Sequence, residues 1–533
     1  MKTSLRTLIL GLLALLLVLP LAASAFAEEP RYGGTLNVPN PYVSDVETLD
    51  PIGVSAQSAE EGQIIMQLNS SLLAINPETN ELEPAIAKDW ETTEDRKGYI
   101  FYLRDDVKFH NGRTADAEDV KYSFTRLLQD GRSIDLLSGV KGAEAVLDGE
   151  SDELEGVTVL DDYKVKVELT EQDVTFLYNM ANHGTSIVPE EEVEELGDQF
   201  GSQPVGAGPF KLERWVRGSE IVLTRFEDYY GGEAYLEEVV FKLMPESTSR
   251  NLAFKQKDID YNFVNMSNYK QLKESTSEEN LIEATELWVR AVLMNTSQGP
   301  LKDKKVRKAI NYAIDKEAVL EDYYQGMAYP ATGPLSPGHP AYDEDAGYSY
   351  DPEKAQQLMK EAGYEKGFEL EILGPEASSY GIPAAVPLVP YLQKIGINVK
   401  LTTLSWSNLM PRLEEGDFEA YISSVGGRIS GLKVLNNYTC DTPRTEGNRS
   451  QYCNEQFDEY IDEAEKTFDP DKRNDLLRKA ADEFIDDAVW FFYNYPKPTI
   501  VKQPWVHGLV ANSREKSFQP LHEIWIDEDS PRA

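Results

Sequence analysis

The chain has 533 residues, of which 52 are Lys or Arg and 92 are Asp or Glu, giving a formal charge of −40. So negative a body repels phosphates, which excludes nucleic acid as its main partner. With 41% apolar residues, 28 Tyr, 19 Phe and 7 Trp along its length, it is not a disordered chain. Single cores stop growing near ~250–300 residues, so two or more are expected.

In chain order, Lys2 and Arg6 precede an apolar run from Leu8 to Leu21, and Ala-Ala-Ser-Ala-Phe-Ala follows. That is the order of a secretory signal: positive end, apolar core, small residues at the cut. Cleavage is expected after Ala27, with Ala25 as second choice. Pro20 and the small residues interrupt the run short of the ~20 apolar residues a retained anchor needs. No Cys follows the segment, so no lipid anchor is expected. Gly33-Gly34-Thr-Leu-Asn-Val reads as the first mature strand. Gly98 to Leu103 and Tyr163 to Leu169 alternate with period two, as half-buried strands do. Phe109-His-Asn-Gly112 reads as a turn closing a hairpin, with His110 a turn residue rather than a ligand. Gly206 and Gly208 are expected to permit a tight crossing of the chain between domains. Val306, Ala309, Ile310 and Ala313 share one helix face, a core stripe. A helix from Asp351 to Gly363 has a cap, a Pro in its first turn and a closing Gly. Phe368 to Leu373 reads as a strand, Ala384 to Ile395 as a helix despite Pro387 and Pro390, and Asn398 to Leu404 as a strand. This succession predicts a mixed α/β fold. Asn454 to Asp487 is mostly helical in pattern, with Phe457, Ile461 and Ala464 on one face.

Cys440 and Cys453 are the two cysteines. In an exported chain a disulfide is favoured over two free thiols; no His stands near enough for a zinc site. The excess of carboxylates reads as adaptation to saline surroundings rather than to a cationic partner, with plain solubility as the other reading.

A search for chemistry finds little. There is no G-x-S-x-G elbow, no phosphate-binding G-x-x-x-x-G-K-[ST] loop and no H-E-x-x-H. Gly206-Ala-Gly208-Pro-Phe-Lys211 lacks a third Gly, and Pro209 removes an amide donor where phosphate would sit. The five His are scattered. No metal site, cofactor or catalytic residue is assigned, and binding is favoured over catalysis.

Leu82-Glu-Pro-Ala-Ile-Ala-Lys-Asp-Trp90, followed by Tyr99 to Arg113 with Phe109-His-Asn-Gly112 and then Ala117-Glu-Asp-Val120, resembles the family 5 solute-binding proteins of ABC importers, the peptide- and nickel-type group. Val205-Gly-Ala-Gly-Pro-Phe210, Asp228-Tyr-Tyr-Gly-Gly232, Asp303 to Asp315, Tyr350 to Ala355, Glu361-Ala-Gly-Tyr364 and Ile395 to Val399 continue the series. The resemblance spans residue 32 to about 510. It implies a two-lobed periplasmic binding protein (type II, the large cluster with an extra inserted sub-domain) with ligand in the interlobe cleft. Lobe I would comprise 28–72, 203–288 and 502–533, the inserted sub-domain 73–202, and lobe II 289–501, hinged near Trp288 and Val501. The implied protein is a periplasmic, monomeric, non-enzymatic subunit. It captures a small polar ligand, a peptide, oligosaccharide or organic acid, and delivers it to the transmembrane permease, with ATPase subunits acting indirectly. Alternatives are a sensor subunit of the same fold and a secreted hydrolase using a carboxylate pair.

Family members that hold a peptide's amino terminus carry Gly-Trp-x-x-Asp after the strand following Gly-Asp-Phe-Glu. Here Gly416-Asp-Phe-Glu419 leads to Ser423-Ser-Val-Gly-Gly-Arg-Ile-Ser430, with Arg428 at the Asp position. A guanidinium repels an ammonium and suits a carboxylate, so anionic or hydroxyl-rich ligands are expected over free dipeptides; Arg428 as a surface Arg paired with a carboxylate is the other reading. The resemblance adds Asn436, Asn437 and Tyr438 as cleft residues; Trp288, Trp406 and Tyr493 are read as aromatic walls of such a pocket, with core packing as the favoured other reading of each taken alone.

Overall fold

In the computed structural model, residues 29–54, 58–130, 132–377 and 379–533 are described. The expected signal segment 1–27 and its cut lie outside them.

Two four-stranded sheets occupy the N-terminal half. In the first, Thr35–Asn40 pairs in parallel with Glu238–Leu243, and Glu220–Arg225 and Phe210–Val216 add antiparallel. Leu36, Val38, Ile221, Leu223, Val239 and Phe241 fill its buried face. The second, Ala87–Thr92, Gly98–Leu103, Lys164–Glu168 and Val157–Asp161, is antiparallel throughout. The strands expected around Gly98 and Tyr163 are its two central members. Helix Ala117–Asp130 shares their core through Val120, Phe124 and Leu127.

The C-terminal half is built on a six-stranded sheet in the order Ala328–Pro330, Trp490–Pro496, Trp288–Met294, Ala420–Gly426, Phe368–Gly374, Ile397–Thr403. Helices cover both faces. Trp490 and Phe492 point into one core, Phe491 and Tyr493 into the other, so every residue of Trp490–Pro496 is buried. The helix Pro352–Glu361 starts as its sequence predicts, with the Lys354 amide donating to Asp351 Oδ1 at 2.9 Å. The segment expected as one helix from Ala384 to Ile395 is three short pieces, Ile382–Ala385, Val386–Leu388 and Val389–Lys394. Pro387 and Pro390 each remove an amide and crowd the preceding turn, which divides it. The stretch Asn454 to Asp487 is two helices, Glu455–Glu465 and Pro470–Asp486, the second capped by Asp469. Phe457, Ile461 and Ala464 are fully buried. Cys440 and Cys453 form a disulfide, their Cα atoms 4.3 Å apart, pinning the loop that leads into the first of these helices. Closing so short a loop contributes about 3 kcal/mol in the chain-entropy model.

His110 explains why the hairpin turn has its sequence. The Gly206 amide donates to His110 Nδ1 at 3.3 Å, and His110 Nε2 donates to the Gly208 carbonyl at 3.1 Å. The ring therefore bolts the turn to the Gly206-Ala-Gly208 strap as one neutral tautomer. A Cβ at Gly206 would lie 2.2 Å from the Leu68 carbonyl oxygen, and one at Gly208 2.5 Å from that of Gln67. The glycines thus allow the strap to lie directly on the end of helix Ala59–Leu68. Burial pushes the His110 pKa down to about 4, against about 6.5 unfolded. Because the folded value is depressed, the contribution of the neutral ring is complete above pH 6.5 and is lost as pH falls toward 4. Replacing His110 with Gln should flatten the dependence of unfolding free energy on pH between 6.5 and 4, measured by urea titration. A slope equal to the parent's would remove His110 as the cause.

Candidate functional site

The two halves are joined by two adjacent chain segments. Ala284 donates to the Pro498 carbonyl and Glu286 to that of Pro496, each at 3.1 Å, so the segments run side by side between the three-stranded sheet (Tyr261–Phe263, Thr499–Lys502, Leu281–Glu283) and the six-stranded one. In front of this joint lies a cavity of about 330 Å³. Asp135, Tyr178 and Asn179 line one wall with Arg514, Glu515 and Phe518, and Trp288, Arg428, Lys433 and Asn437 line the other. Asp135, Leu136, Thr175, Asn179 and Lys433 are shared with an outer cavity of about 540 Å³, so the crevice is continuous. At its outer edge Lys433 pairs with Asp173 at 3.4 Å, and Gln172 donates to the Glu465 carbonyl at 3.4 Å. These two contacts link the walls.

Arg428 follows strand Ala420–Gly426 on a loop held by its backbone. Gly427 donates to the Leu287 carbonyl at 3.1 Å, and His339 Nε2 lies 2.8 Å from the Arg428 carbonyl. The side chain is exposed to the crevice. Among the described residues, its guanidinium forms no ion pair or side-chain hydrogen bond. Trp288 begins the neighbouring strand, opposite Gly426. Its indole lies on Gly427, where a Cβ would come within 2.4 Å of two ring carbons. Gly427 also has φ +74°.

The other expected site residues separate. Asn436 lines the outer cavity and Asn437 the inner one. Tyr438 is buried in the core, its ring 5.2 Å from Phe484 and 5.0 Å from Trp490. Tyr493 is likewise buried, edge-on to Tyr324 at 5.6 Å. Trp406 opens helix Trp406–Glu415, 44% exposed, and is not among the residues lining the crevice. Thus Trp288, Arg428 and Asn437 meet at the inner cavity, whereas Tyr438, Tyr493 and Trp406 do not. The unbroken apolar and aromatic run Ala488 to Tyr493 is the signal of a strand covered on both faces, and it marks Tyr493 as core.

Sequence reasoning missed the opposite wall. Arg514 and Glu515 belong to a charged, loop-like stretch near the C-terminus that reads as exposed. Burial pushes the Arg514 guanidinium down to about 10, and its Nε is enclosed without a partner. Tyr42 donates to Glu515 Oε1 at 2.5 Å, and Lys516 approaches the same oxygen at 3.7 Å.

A mixed α/β molecule in two parts, with an inserted sub-domain and a crevice at the joint, defines a two-lobed binding protein. The comparisons agree. Residues 81–445 match the family of bacterial extracellular solute-binding proteins, family 5, and the chain belongs to that family. It is 29% identical over 433 residues to the dipeptide-binding protein of Escherichia coli K12, covering 77% of this chain and 80% of that one. It is also 29% identical over 486 residues to heme-binding protein A of Haemophilus influenzae, covering 87% and 88%. The solved structure of HbpA2 from Haemophilus parasuis superposes with a TM-score of 0.81 at 26% identity, covering 92% of this chain and all of that one. The family is one of binding proteins.

Replacing Gly427 with Ala should lift Trp288 off the loop and strain the backbone, because L side chains disfavour this φ. Indole fluorescence of the empty protein should shift. An unaltered spectrum with unaltered ligand affinity would remove this contact from the site.

Proposed function

We propose that this chain is the ligand-capturing subunit of an ABC importer and that its ligand is a small polar organic molecule bearing an anionic group. Relatives named for dipeptide and for heme share the fold, so the class of ligand has to be read from this crevice. The observation that carries the reading is Arg428, exposed to the cavity without a carboxylate partner in a chain where acidic residues outnumber basic ones 92 to 52. Peptides ending in a free carboxylate, acidic sugars and organic acids all supply the missing charge; a cationic head does not. Trp288 and Asn437 are assigned to the ligand with it.

Ligand touching both walls favours the closed form, and the closed lobes then dock on the permease, ATP being used by other subunits. Lobe I is assigned 28–72, 203–288 and 502–533, the insertion 73–202 and lobe II 289–501, the strand Thr499–Lys502 at the second crossing pairing with the lobe I strands Tyr261–Phe263 and Leu281–Glu283. The protein is assigned to the periplasm as a monomer released from a cleaved signal, without a lipid anchor.

Native mass spectrometry of protein purified without unfolding should reveal a co-purified anionic compound. Arg428→Ala should weaken its binding roughly ten- to hundredfold, the range for a hydrogen bond to a charged group, and leave the melting temperature of the empty protein unchanged. Equal affinity in variant and parent removes Arg428 from the site. Conversion of the bound compound would instead favour a hydrolase.

A further inference from the structure

We infer that the crevice takes a ligand with two carboxylate groups, one met by Arg428 and the other by Arg514. The inference rests on the crevice being the capture site and names the class of molecule captured.

The two arginines line the same cavity from opposite walls. Arg428 stands on the loop after strand Ala420–Gly426 of the six-stranded sheet, and Arg514 on the C-terminal segment that packs against the N-terminal half through Ser513 with Asn80 and Phe518 with His183. Among the described residues, neither guanidinium forms an ion pair or donates a side-chain hydrogen bond. Arg514 is the more telling of the two, because its Nε is shut away from water with nothing to receive its proton. A desolvated cation without a counter-charge is costly, and such a group persists where something outside the chain completes it. Of the two carboxylates lining the cavity, Glu515 is engaged by the Tyr42 hydroxyl and Lys516, and Asp135 forms no ion pair with either arginine. Lys433, the other cation on the cavity wall, is paired with Asp173. Two open guanidiniums therefore remain, one per wall, each with a planar fork suited to a carboxylate.

The flanking groups suit the same guest. The Phe518 ring lies 5.8 Å from the Arg514 guanidinium, and Trp288 lies flat on Gly427 beside Arg428. Each charged contact thus has an aromatic surface next to it, and the cavity has the size of small-ligand pockets. A dianion spanning the walls would neutralise both arginines only when the walls are close. Its affinity for the closed form would then exceed that for the open form, the differential needed to drive closure.

The test uses the full mature protein and three probes of nearly equal size, titrated by calorimetry at low salt. N-acetyl-Ala-Glu carries two carboxylates, N-acetyl-Ala-Gln one, and N-acetyl-Ala-Gln-amide none. Affinity should fall at least tenfold at each step, and added salt should shrink the second step, carried by the exposed Arg428, more than the first. Arg514→Met should abolish the first step and keep the second, and Arg514→Lys should restore part of the first. Equal affinity for the first two probes in the parent overturns the inference, and so does an unchanged first step in Arg514→Met or a failure of all three probes to bind at millimolar concentration. The parent series decides even if the variants fold poorly. Small-angle scattering separates this inference from the capture reading. If a co-purified neutral or cationic compound closes the halves, capture stands and the two-carboxylate assignment falls. If no compound closes them, capture itself falls.

Discussion

The rest of the molecule depends on how its two halves are joined, by a pair of hydrogen-bonded segments, residues 284–287 and 496–498. Each continues into a strand at both ends, so a rotation of one half must be absorbed within a few residues while the sheets on either side move as wholes. Lys497 occupies the middle of this joint and is buried. Its ammonium lies 3.4 Å from Glu283 on the companion segment, and 5.2 Å from the rings of both Tyr269 and Tyr329, which belong to opposite halves. A cation held between two aromatic faces and a carboxylate keeps its partners over a range of angles, because none of these attractions is strongly directional. That is a suitable material for a pivot. The crevice in front of the joint inherits its geometry from it, since Trp288 is the first residue beyond the crossing.

How much of this was legible in the sequence follows from the range of each interaction. Local signals survived intact: Asp351 caps its helix, and Phe457, Ile461 and Ala464 face inward, because cap and periodicity are decided within a few residues. Pro387 and Pro390 are local signals too, and their missing amides outweigh the helical periodicity around them. The strand Trp490–Pro496 opens on four consecutive aromatic residues, yet its pattern alone does not separate Tyr493 from a cleft wall, because an aromatic residue reads the same in a core as in a pocket. Half of the site was legible for a different reason. Arg428 stands where the resemblance to members that hold a peptide's amino terminus leads one to expect an acid, a departure that one position can reveal. Arg514 has no such marker, and only the folding of a segment from the far C-terminus against His183 and Asn80 brings it opposite Arg428.

Charge links these two levels. A body of charge −40 repels an approaching anion, yet two guanidiniums line the crevice without an ion pair among the described residues. The opposition is resolved by distance and dielectric. Surface carboxylates act on a ligand through solvent, where the field decays over a Debye length of ~10 Å at 0.1 M ionic strength and ~3 Å at 1 M. Arg514 acts through a desolvated wall, where screening is weak. Rising salt therefore removes the outer repulsion faster than the inner attraction, and net capture of an anion by such a protein improves toward saline conditions until the exposed Arg428 is itself screened. Rising ionic strength thus eases the opposition between the acidic surface and the two arginines of the proposed site, which links the reading of a saline habitat to the crevice as well as to the composition.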